Sequence, residues 1–130
     1  MVVALAMMAL LLSIALQRFT ALRDAMSVRA AVADLGSTFS LGRQLAVSRR
    51  RVVAIVLDTG SGVVEVRSGG SKIVRRELGA AYGVHLGSNR DSAVFDARGL
   101  GYGLSNLSVA IRRGHFVDTL TMSRLGRVRW

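Results

Sequence analysis

The stretch LGRQLAVSRRRVVAIVL, residues 41–57, changes its hydrophobic period halfway along. Up to Leu45 its apolar residues continue a spacing near 3.6, the repeat of one helix face. From Arg51 to Leu57 it becomes a short β-branched run of the kind that forms a strand. Between them stand Ser48, Arg49, Arg50 and Arg51, cations suited to the negative end of a helix dipole. The reading is a helix that ends near residue 50 and a first strand that follows at once.

Upstream, Val28, Val32, Leu35, Phe39 and Leu45 form one apolar row, preceded by Phe19, Leu22 and Met26. Arg23, Asp24, Arg29, Asp34, Arg43 and Arg49 occupy other faces, which makes 18–50 an amphipathic helical segment. The chain has no proline to break it. Gly36 and Gly42 are its weak points, each costing about 1 kcal/mol relative to Ala.

Further upstream, MVVALAMMALLLSIAL (1–16) carries no charge, and Ser13 is its only polar residue. As a helix it spans about 24 Å, a little short of a hydrocarbon core of about 30 Å. A signal peptide would start with basic residues and end in an A-x-A-like site, and neither is present. A soluble core helix of this composition would have to be buried on every face. Membrane anchoring over residues 1–17 is therefore expected, with Val2, Leu5, Met8, Leu12 and Leu16 in the membrane. Arg18 and Arg23 follow the apolar run, so the positive-inside rule alone would leave the remainder in the cytoplasm. Basic residues preceding Met1 in a precursor would remove that conflict.

Downstream, residues 51–130 read as a β-rich head. RVVAIVL and VVEVR flank the turn TGSG, KIVRREL follows SGGS, and YGVHL and SAVFD are short strand candidates. NLSVAIR and FVDTLTM flank a turn at Gly114 and form a second hairpin. One helix followed by a run of strands predicts an α+β fold, the helix packed on a small antiparallel sheet.

Composition excludes several chemistries. There is no cysteine, so no disulfide or thiolate site is available. His85 and His115 are the only histidines and stand far apart, so neither a metal nor a cofactor is expected. Asp58-Thr59-Gly60-Ser61 matches the D-T-G-S signature of aspartic proteases, which need two such carboxylates sharing a proton. This chain has one, and Asp and Gly are also the residues a hairpin turn prefers. Asp58 is expected to be a turn corner, no catalytic residue is assigned, and a retroviral-type protease is the remote alternative. The net charge of +10, carried by arginines except for Lys72, points to an anionic partner or to general Arg usage.

Taken in order, these segments resemble the type IV pilin-like superfamily, in particular the H-type minor pseudopilins of type II secretion and their T-type fimbrial relatives. The resemblance rests on MVVALAMMALLLSIAL, on LGRQLAVSRRRVVAIVL, and on VFDARGLGYG (94–103) with the terminal LGRVRW (125–130). The family's basic leader, its Gly before the cleavage point and its Glu shortly after are absent; Met1 falls about where the residue after that Glu would stand. The kinking Pro of many pilins is absent too. The resemblance implies a structural subunit, processed from a precursor by a prepilin peptidase and methylated at its new N-terminus. It implies an inner-membrane, single-pass protein with its head in the periplasm, assembling with other pilin subunits through the helix. It also implies that Gly99, Gly101, Gly103 and Gly126 serve turns and close backbone approaches.

The tail holds Arg112, Arg113, His115, Arg124, Arg127 and Arg129 against Asp118. Arg127 and Arg129 are two apart and share one face of a strand. Arg forks chelate phosphate without reading sequence. In the T-type relatives the G-R-x-R ending, here Gly126 to Arg129, is associated with DNA capture. Arg112, Arg113, Arg124, Arg127 and Arg129 are thus a candidate DNA surface; a solvated strand face, or pairing with acidic groups of a partner subunit, is the alternative for Arg127 and Arg129.

Overall fold

In a computed structural model, residues 1–102 and 106–130 are described; Gly103, one of the expected turn glycines, lies outside them. Helix α1 runs without interruption from Val2 to Arg49. It closes where the arginine cluster begins. Arg50 takes a left-handed conformation (φ 48°, ψ 40°), donates its N–H to Val47 O at 3.3 Å, and Arg51 donates to Ala46 O at 3.2 Å. This pair of bonds satisfies two of the orphan carbonyls at the helix end. A side chain at positive φ costs about 1–2 kcal/mol, and among the described residues Arg50 alone bears that strain without being glycine.

The strands follow as β1 (Val53–Asp58), β2 (Val63–Ser68), β3 (Ser71–Glu77), β4 (His85–Ser88), β5 (Ser92–Phe95), β6 (Leu107–Arg113), β7 (Phe116–Met122) and β8 (Val128–Arg129). A short helix α2 (Leu78–Tyr82) separates β3 from β4. The fold is α+β, as expected, but the expected single sheet is two. One has the order β3-β2-β1-β5, the other β4-β6-β7-β8. β4 and β5 are consecutive in sequence yet pair with β6 and β1 respectively, all antiparallel. The segment YGVHL, expected as a strand from residue 82, is strand only from His85. Tyr82 ends α2, and Gly83 at φ 63° turns the chain between them.

Alternation decides which residues the sheets bury. Val53, Ile55 and Leu57 of β1, and Leu107, Val109 and Ile111 of β6, all face inward. They meet Val28, Val32, Leu35 and Phe39 of α1, so both sheets share one core built around the second half of the helix. Phe39 packs edge-on against Phe95 of β5, ring centres 6.5 Å apart at 78°. Truncating a buried Phe of this kind costs about 3–5 kcal/mol. The embedded part of the helix starts later than the amphipathic pattern implied. Phe19, Leu22 and Met26 are exposed, and burial begins at Val28.

The closing loop depends on glycine. Gly126 sits at φ 71°, and a Cβ there would lie 2.9 Å from Gly99 O. Gly126 thus lets the last segment cross the 96–101 turn, where Gly99 and Leu100 are anchored by Asp96.

Candidate functional site

The first half of α1 stands free of the head. Val2, Leu5, Met8, Leu12 and Leu16 are 57–81% exposed, and Leu10, Leu11 and Ile14 between them are equally uncovered. No face is preferred, so the five expected residues are a sample of a cylinder that is apolar all round. Its most apolar 18-residue window has a mean hydropathy of 2.0 and none of it is buried. Backbone hydrogen bonds are satisfied within the helix, which allows such a segment to enter an apolar medium. Its hydroxyls are satisfied as well: Ser13 Oγ donates to Leu10 O at 3.1 Å and Thr20 Oγ1 to Gln17 O at 2.9 Å. The uncharged rod from Val2 to Leu16 measures about 21 Å, and the uncovered stretch continues past Arg18 to Leu22, about 30 Å in all.

Where the helix enters the head, the tip of the β6–β7 hairpin is bound to it. Arg113 Nε lies 2.8 Å from Asp24 Oδ1, and its guanidinium also donates to Ser27 Oγ at 3.1 Å and to Tyr82 O. Gly114 passes so close that a Cβ there would come within 2.8 Å of Asp24 Oδ2. The Tyr82 hydroxyl donates to Asp34 Oδ2 at 3.1 Å. Burial, and then the Asp34 carboxylate, push that phenol above its ordinary range. Asp24, Ser27 and Tyr82 had no sequence signal as partners of Arg113. Their contacts join residues 31 to 89 positions apart along the chain.

This clamp divides the basic tail. Arg113 faces the helix and is consumed by it, whereas Arg112, its neighbour, points to the outer face of β6. Arg112 sits opposite Val117 on β7, and Arg129 opposite Thr121. Four residues along a strand is about 13 Å, so the tip and β8 are separate cationic regions rather than one edge. Arg127 and Arg129 are exposed and line a groove with Arg43, Ser40 and Trp130. Arg124 is exposed on the preceding turn, where its carbonyl lies against Gly101. Among the described residues, Arg112, Arg124, Arg127 and Arg129 make no ion pair. The Trp130 ring lies over Gly36 of the helix while keeping 63% of its surface exposed.

Asp58 is a hairpin corner. Its carboxylate accepts N–H bonds from Gly60 (3.1 Å) and Ser61 (3.3 Å) and the Ser61 hydroxyl at 2.6 Å. The Ser61 bonds hold it ionised below the usual aspartate range. These contacts account for the D-T-G-S letters as turn chemistry. No group of acidic, His or Cys side chains suited to a metal occurs among the described residues.

No family model matches the sequence, and a search of curated proteins returns no significant match. Solved structures do match. The type IV minor pilin FimU of Pseudomonas aeruginosa superposes with a TM-score of 0.67 at 18% identity, covering 78% of this chain and 86% of that one. The minor pseudopilin EpsH of the Vibrio cholerae type 2 secretion system superposes at 0.65 and 11% identity, covering 79% and 94%. With its long N-terminal helix packed on antiparallel sheets, the chain therefore has the type IV pilin-like fold.

Proposed function

We propose that this chain is a minor pilin or pseudopilin, a non-catalytic structural subunit of a type IV pilus or of a type II secretion pseudopilus. One observation carries the reading. A single 48-residue helix is built into the head core over its second half and left uncovered and apolar over its first. The uncovered half, including Val2, Leu5, Met8, Leu12 and Leu16, anchors the subunit in the inner membrane with its head in the periplasm. On assembly the same surface exchanges lipid for the helices of other subunits, a transfer between two apolar surroundings. A prepilin peptidase acts on the precursor. The likeness to FimU and EpsH supports this reading through fold.

Membrane fractionation tests it. The wild-type chain should resist alkaline extraction. Leu5→Arg combined with Leu12→Arg should release it, since each charge at the centre of a span costs about 2.5–3.5 kcal/mol. Neither residue touches the head, so its circular dichroism should not change. Extraction of the wild type, or retention of the double variant, overturns the proposal.

A second reading concerns the tail. Arg127, just before β8, and Arg129, on it, are exposed, make no ion pair among the described residues, and lie beside Arg43 and Trp130. That groove supports weak, sequence-independent contact with the DNA backbone, centred on β8 and excluding Arg113.

A further inference from the structure

The hairpin tip lies at the membrane end of the head. Trp130, beside β8, packs against Gly36, whereas the tip packs against Asp24. The β6–β7 hairpin therefore runs down the helix toward its N-terminus. Arg18 is the first charge after the apolar rod, and Asp24 is six residues beyond it, about 9 Å along the axis. With the hydrocarbon boundary near residue 17, Asp24 stands about 10 Å above it, just beyond a headgroup layer of roughly 5–8 Å. The long exposed side chains of the tip and of the helix turns below it therefore reach that layer from its outer margin.

The side chains of the tip and of the helix turns between it and the apolar rod share a character. Arg18, Arg23, Arg112 and His115 are exposed, and so are Phe19, Leu22, Phe116 and Val117. Two acids stand nearby. Asp24 is neutralised by Arg113, and Asp118 lies on the helix-facing side of β7, where its carboxylate accepts the Thr119 N–H. Cations interleaved with apolar side chains, in line with a rod that enters hydrocarbon, are complementary to an anionic headgroup layer.

We infer that the tip of the β6–β7 hairpin, with the helix residues beside it, is a docking surface for anionic lipid that holds the head down on the membrane before assembly. This rests on the anchoring reading above. Val117 and Phe116 enter the interface, while Arg23, Arg112 and Arg18 contact phosphate. Because Arg113 ties the tip to Asp24, the hairpin and helix approach the surface as one rigid unit. Each Arg in such a layer contributes about fivefold to the equilibrium between docked and raised heads.

The chain has no cysteine, so single labels can be placed freely. The full chain is reconstituted into vesicles of phosphatidylcholine alone or with phosphatidylglycerol, carrying a fluorophore at Val117→Cys, Ser71→Cys or Leu12→Cys. Ser71 opens β3 directly after the β2–β3 turn, and Ser68 on the other side of that turn donates its hydroxyl to Val52 O, beyond the far end of the helix. Headgroup-nitroxide lipid should quench the Val117→Cys label several-fold more strongly in anionic than in neutral vesicles, and leave the Ser71→Cys label unaffected. Adding Arg23→Gln and Arg112→Gln should bring the Val117→Cys signal to within about twofold of the neutral-vesicle value. The inference is overturned if Val117→Cys is quenched no more than Ser71→Cys, or equally in both lipids. It is also overturned if quenching appears only at high protein-to-lipid ratio, which would mark contact between copies. The Leu12→Cys label, read with acyl-chain nitroxides, reports anchoring separately. If it is unquenched, the anchoring reading falls, and if it alone is quenched, only the tip surface falls.

Discussion

Gly36 and Gly42 have the same helix propensity but should respond oppositely to alanine. In a helix interior Gly→Ala gains about 1 kcal/mol, chiefly through the unfolded chain. At Gly42 the new Cβ would lie 2.8 Å from Ile55 Cδ1 and 3.2 Å from its Cγ1, with Phe95 behind at 3.8 Å. Ile55 and Phe95 are wholly buried, so neither can move aside without displacing the core. Overpacking of this kind costs about 1–3 kcal/mol, which leaves Gly42→Ala between neutral and about 2 kcal/mol less stable. At Gly36 the Cβ would meet Trp130 Cζ3 at 2.7 Å, but that ring belongs to the last residue and is 63% exposed. It can swing away, forfeiting about 1 kcal/mol of stacking at most against the same propensity gain. Gly36→Ala should be neutral to slightly stabilising. The variants should differ by roughly 1–2 kcal/mol, on the order of 8 °C in melting temperature for a head of this size. Thermal unfolding of the full chain in detergent, followed by circular dichroism, measures the gap. Trp130 is the only tryptophan, so its emission should shift to the red in Gly36→Ala and stay unchanged in Gly42→Ala. Equal melting temperatures, or a red shift in both variants, would refute the packing argument.

Arg113→Gln should lower stability by about 1–2 kcal/mol, since it breaks several charge-assisted hydrogen bonds in a partly exposed site. Arg127→Gln with Arg129→Gln should leave stability unchanged and lower duplex DNA affinity at low salt, the log–log salt slope becoming shallower by about 1.8. A gel-shift titration beside a urea melt separates these effects, and DNA loss in Arg113→Gln without unfolding would contradict the division of the tail. Glu65 contributes to the acid limb, alongside Asp58. Lys72 at 2.8 Å, then Arg67, hold its carboxylate below the ordinary value of 4.5. A depressed folded-state value means that this contribution is present above the unfolded value and disappears as pH falls through the folded one. Urea midpoints of the wild type should therefore decline below about pH 4.5, more steeply than those of Glu65→Gln; parallel profiles would dismiss the network.

The helix and both hairpins were legible because each is local. A 3.6 period, a β-branched run or a two-strand repeat is complete within about twenty residues. The apolar rod was legible for the same reason, since sixteen uncharged residues need no partner to be read. The split into two sheets was not. Alternation along His85–Ser88 and Ser92–Phe95 fixes which side chains face inward, but not whether β6 or β1 supplies the hydrogen bonds. Helix α2 was missed because Leu78–Tyr82 is shorter than two turns and shows no period. The pairing of Arg113 was hidden in the tail for a reason of parity. Arg112 and Arg113 are one charge run in the sequence, yet on a strand adjacent residues face opposite ways, and one of the pair is spent on Asp24. Phe19, Leu22 and Met26 continue the apolar row of the embedded helix, and periodicity alone cannot tell where the head stops covering it.

The unbroken path from the apolar rod into the core has a mechanical meaning. No proline or glycine lies between Val2 and Leu35, so tension applied to the N-terminal half passes along hydrogen-bonded turns without a joint to absorb it. It reaches the head at Val28, Val32, Leu35 and Phe39, whose side chains lie across the pulling axis. Such a load slides the interlocked side chains past both sheets together and must strain many contacts at once. A pull across the axis would open them one row at a time, at far lower force. The chain is therefore stiff along the helix axis, like a peg seated lengthwise in its socket, and weak to sideways prying.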